Sequence, residues 1–134
     1  MIVIDASILT KFILKERGWE KVLPYLRDGT VSVDLVVKET VNAIWRRCRQ
    51  EKISIKEAKI MLTALKEVTG KAVKIDDENR YLDEAIRIAF RRKLTIYDSL
   101  YIALAKEKKL KLLTADLTQA KAAEVEGVPI TIIQ

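Results

Sequence analysis

Three observations predict an α/β fold: a three-layer sandwich with a mainly parallel five-stranded sheet. Five short runs rich in β-branched residues are spread along the chain. Stretches with apolar residues at helical spacing separate them. The repeated strand-to-helix passages favour right-handed crossovers, which build parallel sheets.

Ile2-Val-Ile4 reads as the first strand, and Ile8, Leu9, Phe12 and Ile13 then recur at helical spacing. Trp19, Val22, Leu23 and Leu26 repeat that pattern, with Gly18 as punctuation, Gly29 as a C-terminal cap and Pro24 as a kink or late start. Thr30-Val-Ser-Val33 is the second strand, with Asp34 as N-cap to a helix striped by Val37, Val41, Ile44 and Cys48. Ser54-Ile-Lys-Glu57 matches a capping box, and Ile55, Ala58, Leu62 and Leu65 give its helix a buried face as far as Gly70. Ala72-Val-Lys-Ile75 is the third strand, and the helix after it carries Leu82, Ala85, Ile86, Ala89 and Phe90. Asp98 opens a helix that is apolar nearly all round through Leu100–Ala105, as a sandwiched helix is. Leu110-Lys-Leu-Leu113, a short helix from Asp116, and Ile130-Thr-Ile-Ile133 complete the series. With no linker, repeat or low-complexity tract, residues 1–134 read as a single domain.

Composition removes several chemistries. The chain has no histidine and one cysteine, Cys48. Ser–His–Asp and Cys–His nucleophile systems, histidine acid–base pairs, mixed zinc sites and an intrachain disulfide are excluded. Carboxylates remain as the main reactive groups. No apolar run approaches the ~20 residues of a membrane span, and Met1-Ile-Val-Ile-Asp5 lacks the basic start of a signal peptide. A cytoplasmic protein with no membrane association is expected. Lys and Arg number 25 against 19 Asp and Glu, a net +6 with mean hydropathy +0.02. That surplus suits a polyanion partner and also suits ordinary solubility.

Parallel sheets bind ligands beyond the carboxyl ends of their strands. Asp5 ends the first strand, Asp34 the second, Asp76 and Asp77 follow the third, and Asp116 lies just past the fourth. Each also suits a helix N-cap, since an Asp side chain accepts from orphan N–H groups. Small or hydroxyl neighbours, Ala6 and Ser7 beside Asp5 and Thr114 beside Asp116, leave room for a site and can hydrogen-bond the acids. Glu39, Asn42, Arg46 and Arg49 fall at i, i+3, i+7 and i+10, on one helix face. That face can hold a ligand acid flanked by phosphate contacts, or be a solvated charged face.

Four blocks together resemble the PIN-domain family, most closely the toxin ribonucleases of the VapBC toxin–antitoxin type. They are Ile2-Val-Ile-Asp-Ala-Ser7, Val37-Lys-Glu-Thr-Val-Asn42, Leu94-Thr-Ile-Tyr-Asp-Ser-Leu-Tyr-Ile-Ala-Leu-Ala105 and Leu112-Leu-Thr-Ala-Asp116. Their order and spacing agree with the family across essentially the whole chain. The resemblance implies that Asp5, Glu39, Asp98 and Asp116 are the catalytic, metal-binding acids, with Ser7, Asn42 and Thr114 supporting them. It also implies Mg2+ or Mn2+, RNA as substrate, a small cognate antitoxin at the acidic groove, and a homodimer or higher even oligomer. After Asp116 some relatives carry a further acid where this chain has Leu117-Thr-Gln-Ala120, which weakens the case for a second metal.

An all-oxygen set suits a hard divalent ion. This reading needs Asp5, Asp98 and Asp116 within reach of one ion, with Glu39 close by. It makes the chain a metal-dependent endoribonuclease in which activated water leaves 5′-phosphate and 3′-hydroxyl ends. Setting the four acids aside leaves 15 against 25 bases, a +10 body around a −4 pocket. Arg46 and Arg49 are the first candidates for substrate phosphate. Tyr97 and Tyr101 read first as core aromatics and second as base-stacking platforms. Two other readings stand beside it: a phosphoryl-transfer protein on a receiver-like or phosphatase-like sheet, and a non-enzymatic basic binding or assembly module whose acids only cap helices.

Overall fold

In a computed structural model describing residues 1–134, five strands form one sheet: β1 (Ile2–Ile4), β2 (Thr30–Val33), β3 (Val73–Asp76), β4 (Leu112–Thr114) and β5 (Ile130–Ile132). Their order is β3-β2-β1-β4-β5 and every pairing is parallel. The helices are α1 (Ala6–Ile13), α2 (Leu23–Asp28), α3 (Leu35–Arg49), α4 (Ile55–Val68), α5 (Leu82–Arg92), α6 (Ile96–Lys108) and α7 (Leu117–Val125). Single 3-10 turns at Trp19–Val22 and Glu78–Tyr81 precede α2 and α5.

From β1 the chain steps outward to β2 and β3, and from β4 it steps the other way to β5. Right-handed crossovers therefore put α1–α4 on one face and α5–α7 on the other. The reversal falls between β1 and β4, where Val3 pairs with Leu112 and Ile4 with Leu113. An open crevice is expected just past that register, at Asp5 and Thr114.

The core is one cluster of 32 buried residues. Its centre is α6, in which every residue from Ser99 to Ala105 is buried, as an all-round apolar helix between sheet and α5 must be. Pro24 lies in the first turn of α2, where its missing N–H costs nothing. The Ser54–Glu57 capping box forms as read, each residue bonding the other's backbone N–H at 3.0 Å.

The structure corrects three local expectations. β3 and β4 run to Asp76 and Thr114, later than the residues 72–75 and 110–113 read from sequence. The buried stripe of α3 is Val36, Thr40 and Ile44, so Val41 lies exposed. Thr40 can occupy that stripe because its hydroxyl donates to Val36 O at 2.8 Å. Asp34 makes no side-chain cap on α3. Its Oδ1 accepts from Glu78 N at 2.8 Å and ties the end of β2 to the turn after β3.

Candidate active site

The end of β1 and the end of β4 are stitched together by two hydroxyls. Ser7 Oγ donates to Asp5 Oδ1 at 2.5 Å and accepts from Ala115 N at 2.9 Å. Thr114 Oγ1 donates to Asp5 Oδ2 and accepts from Asp116 N at 3.0 Å. Ile8 N is the third donor to the Asp5 carboxylate, reaching Oδ1 at 3.2 Å, so the same carboxylate caps α1. Asp5 is 3% exposed. Burial pushes its pKa up from 3.8 to about 6, against the donors that favour the ionised form, and the Asp116 charge adds to the rise.

Asp116 caps α7, its Oδ1 accepting from Thr118 N at 2.9 Å and Gln119 N at 3.2 Å. Asp98 lies in the first turn of α6, whose cap is Thr95: the Asp98 N–H donates to Thr95 Oγ1 at 3.1 Å. The expectation that Asp98 itself opens that helix is corrected by one turn, which leaves its carboxylate without a capping duty. Half-burial and the Asp116 charge raise its pKa. Glu39, in the second turn of α3, is raised by burial and by Asp98, against the Tyr101 hydroxyl that donates to Oε1 at 2.5 Å.

Four acids from four separate segments thus act on one another in sequence, Asp116 on Asp5 and Asp98, and Asp98 on Glu39. They do not close into a ready-made shell: no three acidic side chains form a group arranged to hold a metal ion. The expectation of three carboxylates within reach of a single ion is corrected in that respect. The physical reason is local. Like charges repel, and each acid is engaged by its own donors: Ser7, Thr114 and the α1 N-terminus on Asp5, Tyr101 on Glu39, and the α7 N-terminus on Asp116. The donor set nevertheless fits a hard cation, since it is all oxygen and its negative charge is disfavoured as it stands. Asp116 Oδ2 and Glu39 Oε2 accept nothing from the protein.

Ser7 bonds Asp5 beside it, whereas Thr114, expected to support Asp116, gives its hydroxyl proton to Asp5 across the sheet and from Asp116 accepts only the N–H. Asn42 lies on the wall of a cavity beside Glu39 and makes no hydrogen bond to an acid. Arg46 lines that cavity and Arg49 does not, being another helical turn away from Glu39 along α3. Tyr101, which sequence alone marks only as a core or stacking aromatic, belongs to the site. It is 1% exposed, and its hydroxyl sits among Glu39, Asp5 and Asp98, which with burial hold it protonated. Its i+3 spacing from Asp98 was the available signal.

An open parallel sheet whose order reverses between β1 and β4, with Asp5 and Asp116 just past those strands, defines an α/β protein with acids at its topological switch point. The family model of the PIN domain matches residues 2–125. The chain belongs to the PIN-domain family. Ribonuclease VapC3 of Pyrobaculum aerophilum is 31% identical over 117 residues, 86% of this chain and 88% of the relative. Exonuclease VapC9 of the same organism is 30% identical over 113 residues, 84% and 78%. Among solved structures, PAE2754 of Pyrobaculum aerophilum superposes with TM-score 0.72 at 26% identity, over 96% of this chain and 89% of that one. A toxin–antitoxin complex from Klebsiella pneumoniae gives 0.63 at 14% identity, over 90% of each chain.

Proposed function

We propose that this chain is a metal-dependent endoribonuclease of the VapC toxin type, hydrolysing RNA phosphodiesters to 5′-phosphate and 3′-hydroxyl ends. The observation that supports the reading is the run of charge interactions linking the four acids: burial raises the pKa of Asp5, Asp98 and Glu39, the Asp116 charge adds to the rise at Asp5 and Asp98, and the Asp98 charge adds to it at Glu39. These four acids would hold Mg2+ or Mn2+. When bound, such an ion supplies a charge that lowers the pKa of an attacking water and offsets charge building on the phosphoryl oxygens. The chain's own residues prepare the place. Ser7 and Thr114 fix both oxygens of Asp5, Tyr101 orients Glu39, and the α7 N-terminus fixes Asp116 through Oδ1. Arg46 is exposed and free of internal ion pairs, ready for substrate phosphate.

The receiver-like alternative is disfavoured because its acceptor aspartate must be open to a phosphoryl donor. Asp5 is buried and hydrogen-bonded through both oxygens.

The partner of the Klebsiella toxin is an antitoxin, and we assign this chain a small antitoxin partner as well. We further assign it a homodimeric or higher even state and a cytoplasmic location, acting as one domain over residues 1–134. No helix is long and apolar enough to cross a membrane. Leu82, Ile86 and Phe90 form an exposed apolar stripe on α5 of the kind oligomers cover, with Phe90 82% exposed. Light scattering of the purified chain tests that assignment, and a monomer at micromolar concentration rejects it.

The deciding assay is cleavage of a closed circular single-stranded RNA in Mn2+, alongside the same RNA in linear form. Scission of the circle, stopped by EDTA and lost in Asp98→Asn, is expected. Degradation of the linear form alone would make the chain an exonuclease. Equal activity in wild type and Asp98→Asn would reject the site.

A further inference from the structure

A cavity of about 470 Å³ opens beside the acids, with Glu39, Asn42, Arg46 and Tyr97 in its wall. We propose that it is a subsite for one unpaired nucleotide, in which Tyr97 stacks on the base and Arg46 holds the phosphate. The inference rests on the nuclease reading of the adjacent acids. Its volume lies within the range of small-molecule sites.

Three features point to a nucleotide. Tyr97 adjoins Asp98 in the first turn of α6 and is 59% exposed, while Tyr101, one turn on, is almost wholly buried. One aromatic is spent on holding Glu39 and the other stays exposed in the cavity wall. The second feature is charge. Lys38, on the same wall, is committed to Glu78 at 3.0 Å, and Arg47 to Glu16 at 2.7 Å. Arg46 is the cation of the wall with no partner inside the chain, and its planar fork suits a phosphate. The third is Asn42, one helical turn from both Glu39 and Arg46, whose exposed amide can donate to and accept from a base edge.

Stacking on an aromatic face requires a base that has left its own stack. The subsite therefore selects single-stranded over duplex RNA, and it does so without reading sequence strongly, because every base offers a π-face.

The test is equilibrium binding of a fluorescein-labelled 12-nucleotide single-stranded RNA and of the matching blunt RNA duplex. The parent is the full chain carrying Asp5→Asn, which does not consume the probe. Adding Tyr97→Ala is expected to weaken single-strand binding roughly 5- to 100-fold and leave duplex binding unchanged. Tyr97→Trp should restore the single-strand affinity. Arg46→Gln should weaken both probes and lower the salt slope by about 0.7 on the single strand, a change Tyr97→Ala does not make. Circular dichroism of each variant checks that the fold is intact. Equal single-strand affinity in parent and Tyr97→Ala overturns the subsite, as does a parallel loss on both probes. Failure of the nuclease reading shows separately, as wild type that leaves circular and linear RNA uncut whatever the variants bind.

Discussion

Replacing Asp5 by Asn should stabilise the protein without metal at neutral pH, although it removes a central residue of the site. Burial raises the carboxyl from 3.8 to about 6, so the folded state holds this proton more tightly than the unfolded chain does. The stabilising contribution of that proton is complete below pH 3.8 and is lost as pH rises through about 6. At pH 7.5 the folded protein carries an ionised buried carboxylate at a cost of about 3 kcal/mol relative to the neutral form. Asn removes that cost. Its Nδ2 would face Thr114 Oγ1, which must turn from donor to acceptor beside the Asp116 N–H it already accepts. The stranded hydroxyl proton takes back about 1 kcal/mol. The net gain is about 2 kcal/mol, on the order of 6–8 °C in Tm for a chain of this length. Lowering the pH to 4.5 returns about 2 kcal/mol to the wild type and closes the gap. Differential scanning calorimetry of both proteins in EDTA, across pH 4.5–7.5, measures this directly. Effects of carboxylates remote from Asp5 cancel in the difference, and only Asp116, whose charge acts on Asp5, remains coupled to the change. Saturating Mn2+ at pH 7.5 should then raise wild type more than the variant. A variant no more stable than wild type at pH 7.5, or a gap that does not change with pH, refutes the reasoning.

Tyr101→Phe keeps the buried ring but strips Glu39 of its donor, and a roughly 10-fold loss of Mn2+ affinity is expected in a paramagnetic-relaxation titration. Thr114→Val unties β4 from Asp5 and leaves the Asp116 N–H unpaired, so urea unfolding should show a loss of about 1–3 kcal/mol. Glu126 is paired with Arg91, Arg92 and Lys106 and its side chain is 2% exposed, and these partners hold its pKa down from 4.5 to about 2. Its stabilising contribution is present above pH 4.5 and fades toward pH 2, so Glu126→Gln should cost about 1–3 kcal/mol at pH 7, and the loss should shrink on acidification.

What could be read from sequence alone follows from which interactions are local. Strand cores and the Ser54 capping box depend on neighbours within a few residues and stand almost as expected. Helix ends without glycine were silent. α5 and α6 stop on Lys93 and Lys109 at φ of 57° and 55°, a left-handed position that glycine usually fills. The stripe of α3 departs from its periodicity because the pattern favours Val over Thr40, whose hydroxyl is satisfied within its own helix. Asp34 resembles a cap in every local respect, and its true partner, the Glu78 N–H, is 44 residues away. The four acids were legible as separate blocks. The Tyr101–Glu39 bond, between α6 and α3, was not, because only the folded crossovers bring those faces together.

The rivalry between capping and site chemistry dissolves at Asp116. A carboxylate has two oxygens and about four acceptor positions. Asp116 spends Oδ1 on two N–H groups of α7 and leaves Oδ2 without a protein donor. Capping therefore orients the free oxygen, and it does so with rigid backbone rather than a mobile side chain. Asp5 follows the same logic at α1, with Ser7 and Thr114 adding the constraint that β1 and β4 stay in register. An aspartate that only capped would gain nothing from burial, since desolvation works against its charge. Asp5 is buried nonetheless, beside a second acid that raises its pKa further. That combination is unfavourable for folding alone and favourable for a crevice that takes up a cation, which is why the pH dependence of Asp5→Asn separates the two roles.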